Sequence, residues 1–227
     1  MLAVWGGVFF VPLPSILLLK FRPPASTAFI EARKARLEAE GKPSSIDRQP
    51  VPLSQVSPHL VTAVLAAEDS GFYLHRGIDW EAVKRARAYN EAQAKKGGKK
   101  LRGASTLTQQ LAKNLYLSGE RTLWRKVREA AIATVLEVVL TKQEILAHYL
   151  SAIEWGETTY GCEAASRRYF KCPASRLSRD QAAWLAAMIP SPRLYLANPG
   201  RHQRRAARVA RFARAGVPVP DASPESD

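Results

Sequence analysis

The chain has 227 residues, 46% of them hydrophobic and 24% charged, which excludes a wholly disordered chain. Its length suits one domain plus an appendage, and such a domain buries a core without disulfide or metal support. Lys and Arg outnumber Asp and Glu by 34 to 20, a net charge of +14; the partner is therefore expected to be anionic: nucleic acid, a phosphate-bearing substrate or an acidic membrane surface.

Residues 1–19 carry no charge, and the first charged side chain is Lys20. As a helix this run is about 28 Å long, close to the bilayer hydrocarbon thickness, and membrane helices tolerate prolines such as Pro12 and Pro14. Residues 1–21 are thus predicted to be a transmembrane anchor. A cleaved signal peptide fits less well, because no basic residue precedes the run and no A-x-A site follows it. Lys20 and Arg22 follow the span, so a charge count alone would leave the body in the cytoplasm.

Residues 22–58 read as a juxtamembrane linker. It has a stiff Arg22-Pro23-Pro24 exit, a charged stretch over 31–42 that is helix or linker, and a Pro/Ser hinge over 43–58. Residues 59–216 are expected to be helical nearly throughout, since no sustained period-two alternation marks an extended sheet. The acidic, proline-containing tail over 217–227 reads as disordered. Cys162 and Cys172 make neither a disulfide scaffold nor a zinc site; they pair in an oxidising compartment or stay free.

Three segments carry candidate chemistry. Glu68 and Asp69 end an apolar helix beside Gly71, Phe72 and His75. A carboxylate there is either a solvated helix end or a desolvated acid or base with a raised pKa. The second segment runs Arg102-Gly103-Ala104-Ser105-Thr106, then Gln109-Gln110 and Lys113-Asn114. Thr106 with Gln109 fits a capping box, and a helix start also binds phosphate. The flexible basic loop Lys95-Lys96-Gly97-Gly98-Lys99-Lys100 before it is solvated or closes over an anionic substrate. In the third segment Arg125 and Lys126 stand four and three residues before Glu129, as a surface ion pair or as cations gripping a diphosphate. Leu123, Val127, Ala131 and Val135 add an apolar stripe that continues to Val138 and Val139. The aromatics of residues 144–192 read as core, with a second capping box at Ser178 and Gln181.

In this order and spacing, Glu68-Asp69-x-x-Phe72-x-x-His75-x-Gly77, Gly103-x-Ser105-Thr106-x-Thr108-Gln109-Gln110-x-x-Lys113-Asn114 and Arg125-Lys126-x-x-Glu129 closely resemble the biosynthetic peptidoglycan glycosyltransferases of family 51, in their monofunctional form. The resemblance covers about residues 43–200. It implies a mainly α, lysozyme-like glycosyltransferase domain over 59–216 with an N-terminal transmembrane helix and a membrane-facing hydrophobic subdomain. It also implies polymerisation of lipid II into β-1,4-linked glycan strands, with inversion at the donor anomeric carbon and release of undecaprenyl diphosphate.

Carried onto this chain, the catalytic pair is Glu68, base for the acceptor hydroxyl, and Glu129, near the donor diphosphate. Lys113, Arg125 and Lys126 match the cations that steady the leaving group, and Ser105, Gln109, Gln110 and Asn114 would shape the site. Asp69, Phe72, His75, Arg102 and Thr106 complete the expected substrate-binding set. No cofactor is required; a divalent cation, Mg2+ or Mn2+, bridging the diphosphate is compatible with some members, and no metal cage is legible. The expected partners are lipid II, the growing glycan, the membrane and other cell wall synthesis proteins, not nucleic acid. Arg201, Arg204, Arg205, Arg208, Arg211 and Arg214 then read as a basic helix lying against anionic lipid headgroups. The implied place is the bacterial cytoplasmic (inner) membrane, single-pass, with the catalytic domain periplasmic, against the charge count. Ser151, Trp155 and Ile189 depart from the family's usual residues, and Ser151 in place of Asn loses or reroutes one hydrogen bond.

Overall fold

A computed structural model describes residues 11–98, 101–117, 119 and 122–216. Described helices are α1 (Leu13–Leu18), α2 (Ala28–Ala39), α3 (Pro58–Glu68), α4 (Trp80–Lys95), α5 (Leu107–Tyr116), α6 (Leu123–Val139), α7 (Lys142–Ala152), α8 (Cys162–Phe170), α9 (Arg179–Met188), α10 (Pro192–Ala197) and α11 (Pro199–Arg214). The strands among these residues are β1 (Asp47–Arg48) and β2 (Thr159–Tyr160), a short parallel pair, with isolated bridges at Arg76–Ile78 and Glu154–Tyr160. The mainly helical expectation therefore holds.

Side-chain caps set the helix starts. Ser57 caps α3, which opens on Pro58; Thr106 with Gln109, Thr141 with Glu144 and Ser178 with Gln181 form reciprocal capping boxes on α5, α7 and α9. α3 and α11 pack on α9, while α6 and α7 pack on α5. Leu60, Val64 and Leu65 join Leu111, Ile132, Leu136, Tyr149 and Leu185 in one core. Trp155 is fully buried and donates its indole N–H to the Leu185 carbonyl at 3.1 Å. Gly77 has φ +82°, and a Cβ there would meet the Ala133 carbonyl oxygen at 3.2 Å, so glycine locks the loop after α3 onto α6.

Within 22–58 the charged stretch takes the helical of its two readings: α2 packs on α5, burying Ile30 and Leu37, and Arg33 donates to the Glu157 backbone and carboxylate. The apolar stripe of α6 is divided: Val135 and Val139 are half-buried against the core beside Ile132, Ala133 and Leu136, whereas Leu123 is 83% and Val138 81% exposed. Ser151 lies only 3.5 Å from the Val51 carbonyl, while its own carbonyl accepts from Arg48 at 2.8 Å. Both cysteines are free, and burial pushes the Cys162 thiol up to about 12.

Residues 1–10 of the expected anchor and all of the expected disordered tail lie outside the described residues, as do Lys99 and Lys100. The described end of the anchor, α1, packs on α6 and buries Ile16. Among the described residues no helix is long and apolar enough to cross a membrane.

Candidate active site

Glu68 is the last residue of α3, and its side chain is 10% exposed. Gln110 of α5 donates to its Oε2 at 3.2 Å, and Arg205 of α11 donates to its Oε1 at 3.2 Å. Gln110 is itself oriented by the Tyr149 hydroxyl, which donates to its Oε1 at 3.0 Å. Burial raises the Glu68 pKa; the Gln110 hydrogen bond and the Arg205 charge oppose that rise, and Asp69 adds to it. The group is thus a desolvated carboxyl with one cationic partner, more basic than a solvated glutamate.

Glu129 sits on the inward side of α6 and is only 2% exposed. Arg125 donates to its Oε2 at 2.7 Å, and Lys126 to its Oε1. The Lys126 ammonium also donates to the Ser105 hydroxyl at 2.9 Å. One turn of helix thus sets two cations around a buried carboxylate, and the pair is no solvated surface bridge.

Glu68 and Glu129 open into the same cleft of 590 Å³, with Ser105, Gln110, Lys113, Asn114, Arg125 and Lys126 along its wall. Pro190 and Pro192, in the turn that ends α9 and opens α10, close one side. A second cleft of 720 Å³ lies between Arg102 and Gly103 on one bank and Arg208 and Phe212 of α11 on the other. Glu68, Ser105, Gln110 and Pro190 border both clefts. A carboxyl on the wall between two clefts can take a proton from a group in one as it attacks a group in the other.

The transglycosylase family model matches residues 35–213. A biosynthetic peptidoglycan transglycosylase of Nitrosospira multiformis is 43% identical over 198 residues, 86% of this chain and 84% of its own length. Proteins of the same name from Bordetella pertussis (45% over 175 residues, 77% of this chain and 72% of theirs) and Thiobacillus denitrificans (46% over 191 residues, 83% and 81%) are similar too. The chain belongs to the transglycosylase family.

The other residues expected to bind substrate in this transglycosylase divide by location. Lys113 and Asn114 line the first cleft; the Lys113 ammonium lies 5.1 Å from the centre of the Phe29 ring. Arg102 lines the second cleft, 4.5 Å from the Tyr89 ring centre, with its backbone held by Asn90 of α4.

Asp69, Phe72, His75, Thr106 and Gln109 border neither cleft. In this structure they build the wall behind the clefts. Asp69 Oδ2 accepts the Leu107 N–H at the start of α5, and both its oxygens lie 3.1 Å from His75 Nε2. Phe72 is fully buried, 4.4 Å beneath the Lys142 ammonium. Thr106 donates to the Gly77 carbonyl at 2.6 Å, and Gln109 closes its capping box.

Sequence reading missed Arg205, Tyr149, Glu154 and Arg193. Arg205 was hidden among similar arginines on α11, although spacing from the buried His202, Ala206 and Val209 turns it inward. Glu154 lines the first cleft 3.2 Å from Arg193, and burial raises its pKa.

Proposed function

We propose that the two clefts bring together two lipid-linked sugars, and that Glu68 on their shared wall is the base that joins them. The chain is a peptidoglycan glycosyltransferase that extends glycan strands in cell wall synthesis. Its substrate is lipid II. The acceptor lies in the cleft beside Arg102, the donor diphosphate in the cleft beside Glu129. Glu68 takes the proton of the acceptor 4-hydroxyl, and that oxygen attacks the donor anomeric carbon from the face opposite the diphosphate. The carbon–oxygen bond to phosphate breaks with its electron pair on the departing undecaprenyl diphosphate, which gives inversion and a β-1,4 link.

Charge supports this assignment of the clefts. Lys113, Arg125, Lys126 and Arg193 line the first cleft against Glu68, Glu129 and Glu154, four cations to three carboxylates, so it keeps a small cationic surplus for a leaving diphosphate. Glu129 fixes Arg125 and Lys126 in place before substrate arrives. A divalent cation held by the protein does not fit this donor set, because Glu129 is already engaged by two cations, and no step is routed through one.

The membrane reading rests on exposed apolar side chains. Leu13, Leu17, Leu18 and the 85% exposed Phe21 lie in and after α1, which packs on α6 with its exposed Leu123 and Val127. We assign that face, with Lys20 and Arg22 beside it, to the lipid surface carrying the substrate, on the extracytoplasmic side. The observation that carries the function is the single cleft shared by Glu68 and Glu129.

The test is Glu68→Gln with labelled lipid II and gel analysis of products. Long glycan is expected from the parent chain, and at least about a hundredfold less from the variant, with an unchanged melting temperature. Near-normal turnover by the variant would remove Glu68 as base. Soluble fragments from intact sacculi, with no polymer, would make the enzyme lytic instead.

A further inference from the structure

Arg205 is the only charged side chain hydrogen-bonded to Glu68 among the described residues. It is 18% exposed, whereas its neighbours Arg201, Arg204, Arg208 and Arg211 on α11 are exposed. Its guanidinium is fixed at two points. Nε donates to the Ala187 carbonyl at 3.0 Å, in the last turn of α9, and Nη2 donates to Glu68 Oε1. The end of α9 is the negative pole of its helix dipole, so a cation is favoured there independently of Glu68. A planar guanidinium can serve both acceptors at once.

We propose that Arg205 is the positioning residue of the base: anchored to the end of α9, it holds the Glu68 carboxylate ionised and in one orientation on the wall between the two clefts. The inference rests on Glu68 being the base. Burial alone would favour the neutral acid, which cannot take a proton, so a buried base needs a permanent cation beside it. Around Glu68 the other charged or titratable groups do not supply one. Asp69, next in the chain, is anionic; the Tyr149 phenol of α7 is kept neutral by burial; Gln110 of α5 carries no charge. Arg102 and Arg208 border the second cleft; in the first, which Lys113 also lines, Arg125 and Lys126 are engaged by Glu129 and Arg193 by Glu154, and the charges that act on Glu68 are those of Arg205 and Asp69. Arg205 touches oxygen Oε1 while Gln110 holds Oε2, so the carboxylate plane is fixed from both sides.

The experiment is the pH dependence of kcat/KM for polymerisation by the full chain, in the parent, Arg205→Gln and Arg205→Lys, with thermal melts of each. Losing the cation destabilises the carboxylate, so Arg205→Gln should move the acid limb up by about one pH unit, a roughly tenfold loss on the acid side. Arg205→Lys keeps the charge and should return the limb to its parental position, at a lower pH-independent rate. A residue that merely staples α11 to α9 would lower the melting temperature and the rate at every pH with the limb unmoved, and that result overturns the proposal. So does a Lys variant whose limb sits as high as that of the Gln variant.

Isotope-edited infrared titration of the carboxyls without substrate, as the difference from Glu68→Gln, reads the Glu68 protonation directly. Its midpoint should rise in Arg205→Gln; an unchanged midpoint would also overturn the proposal. Should Glu68→Gln retain turnover while the midpoint still depends on Arg205, the base assignment fails and the charge pair stands.

Discussion

At the scale of single residues, the site works by unequal treatment of two glutamates. Glu68 is buried with one cation and one amide, and burial wins, so its pKa is raised. Glu129 is more deeply buried but has two cations on its two oxygens. One carboxyl is kept basic and the other serves as a fixed counter-charge. Glu129→Gln should therefore lower kcat by about a hundredfold or more without raising KM, since the cations still attract the anionic donor. It should also cost about 1.5–3 kcal/mol of stability, the range for a hydrogen bond to a charged group. Steady-state kinetics and urea denaturation check both halves. A KM that rises while kcat holds would mean that Glu129 only shapes the donor cleft. The sequence spacing of Arg125, Lys126 and Glu129 made this cluster legible because all three share one helix. The Arg205–Glu68 contact joins residues 137 positions apart, and no local pattern announces such a pair.

At the scale of elements, the wall between the clefts depends on how α5 begins. Asp69, just past the end of α3, accepts the Leu107 N–H of α5 and faces His75, so one side chain ties α3, α5 and the intervening loop together. Both interactions are charge-assisted, at about 1.5 kcal/mol each or more, so Asp69→Ala should destabilise the fold by about 3 kcal/mol. Asp69→Asn keeps an acceptor for Leu107 and should lose less. Equal losses in denaturant melts of the two variants would show that the carboxylate charge contributes nothing. The motif made these residues legible but not their contacts, because a capping side chain and a ligand-binding one are drawn from the same small polar residue types. Helix α6 shows the converse limit. Its stripe at 123, 127, 131 and 135 has the correct period for a core face, and period alone does not say which apolar face turns inward.

Helix α4 makes a separate case. Ala86 is its one buried residue, and the Asn90 side chain pairs with the Arg102 backbone in both directions, at 2.7 and 3.0 Å. The arm is thus tied to the bank of the second cleft by polar contacts at an exposed position. Asn90→Ala should raise KM for lipid II about threefold to tenfold, an effect of the order of one hydrogen bond, with kcat and melting temperature nearly unchanged. A fall in kcat at constant KM would instead place Arg102 in the chemical step.

At the scale of the whole molecule, charge and hydrophobicity are sorted onto different surfaces, and the reaction needs both. The net charge of +14 and the cationic clefts suit a substrate with a diphosphate, whereas the exposed side chains of α1 and α6 suit its polyprenyl tail. Composition revealed the first and the apolar run before Lys20 part of the second; the exposure of Leu123 and Val127 at the start of α6 required the fold. Replacing Phe21, Leu123 and Val127 with Ser removes large exposed apolar groups and no core contact of the kind Ile132 or Leu136 makes. Each fully buried apolar side chain is worth about 1.5–3 kcal/mol, so even partial insertion of three should make the parent bind vesicles at least tenfold more tightly than the triple variant. Flotation with vesicles containing anionic lipid measures this, and raising the salt separates the two forces. The apolar contribution persists at high salt, whereas attraction by Lys20, Arg22 and the α11 arginines is screened. If the triple variant floats as well as the parent at high salt, the apolar face is not the lipid surface, and the substrate's tail must be met elsewhere.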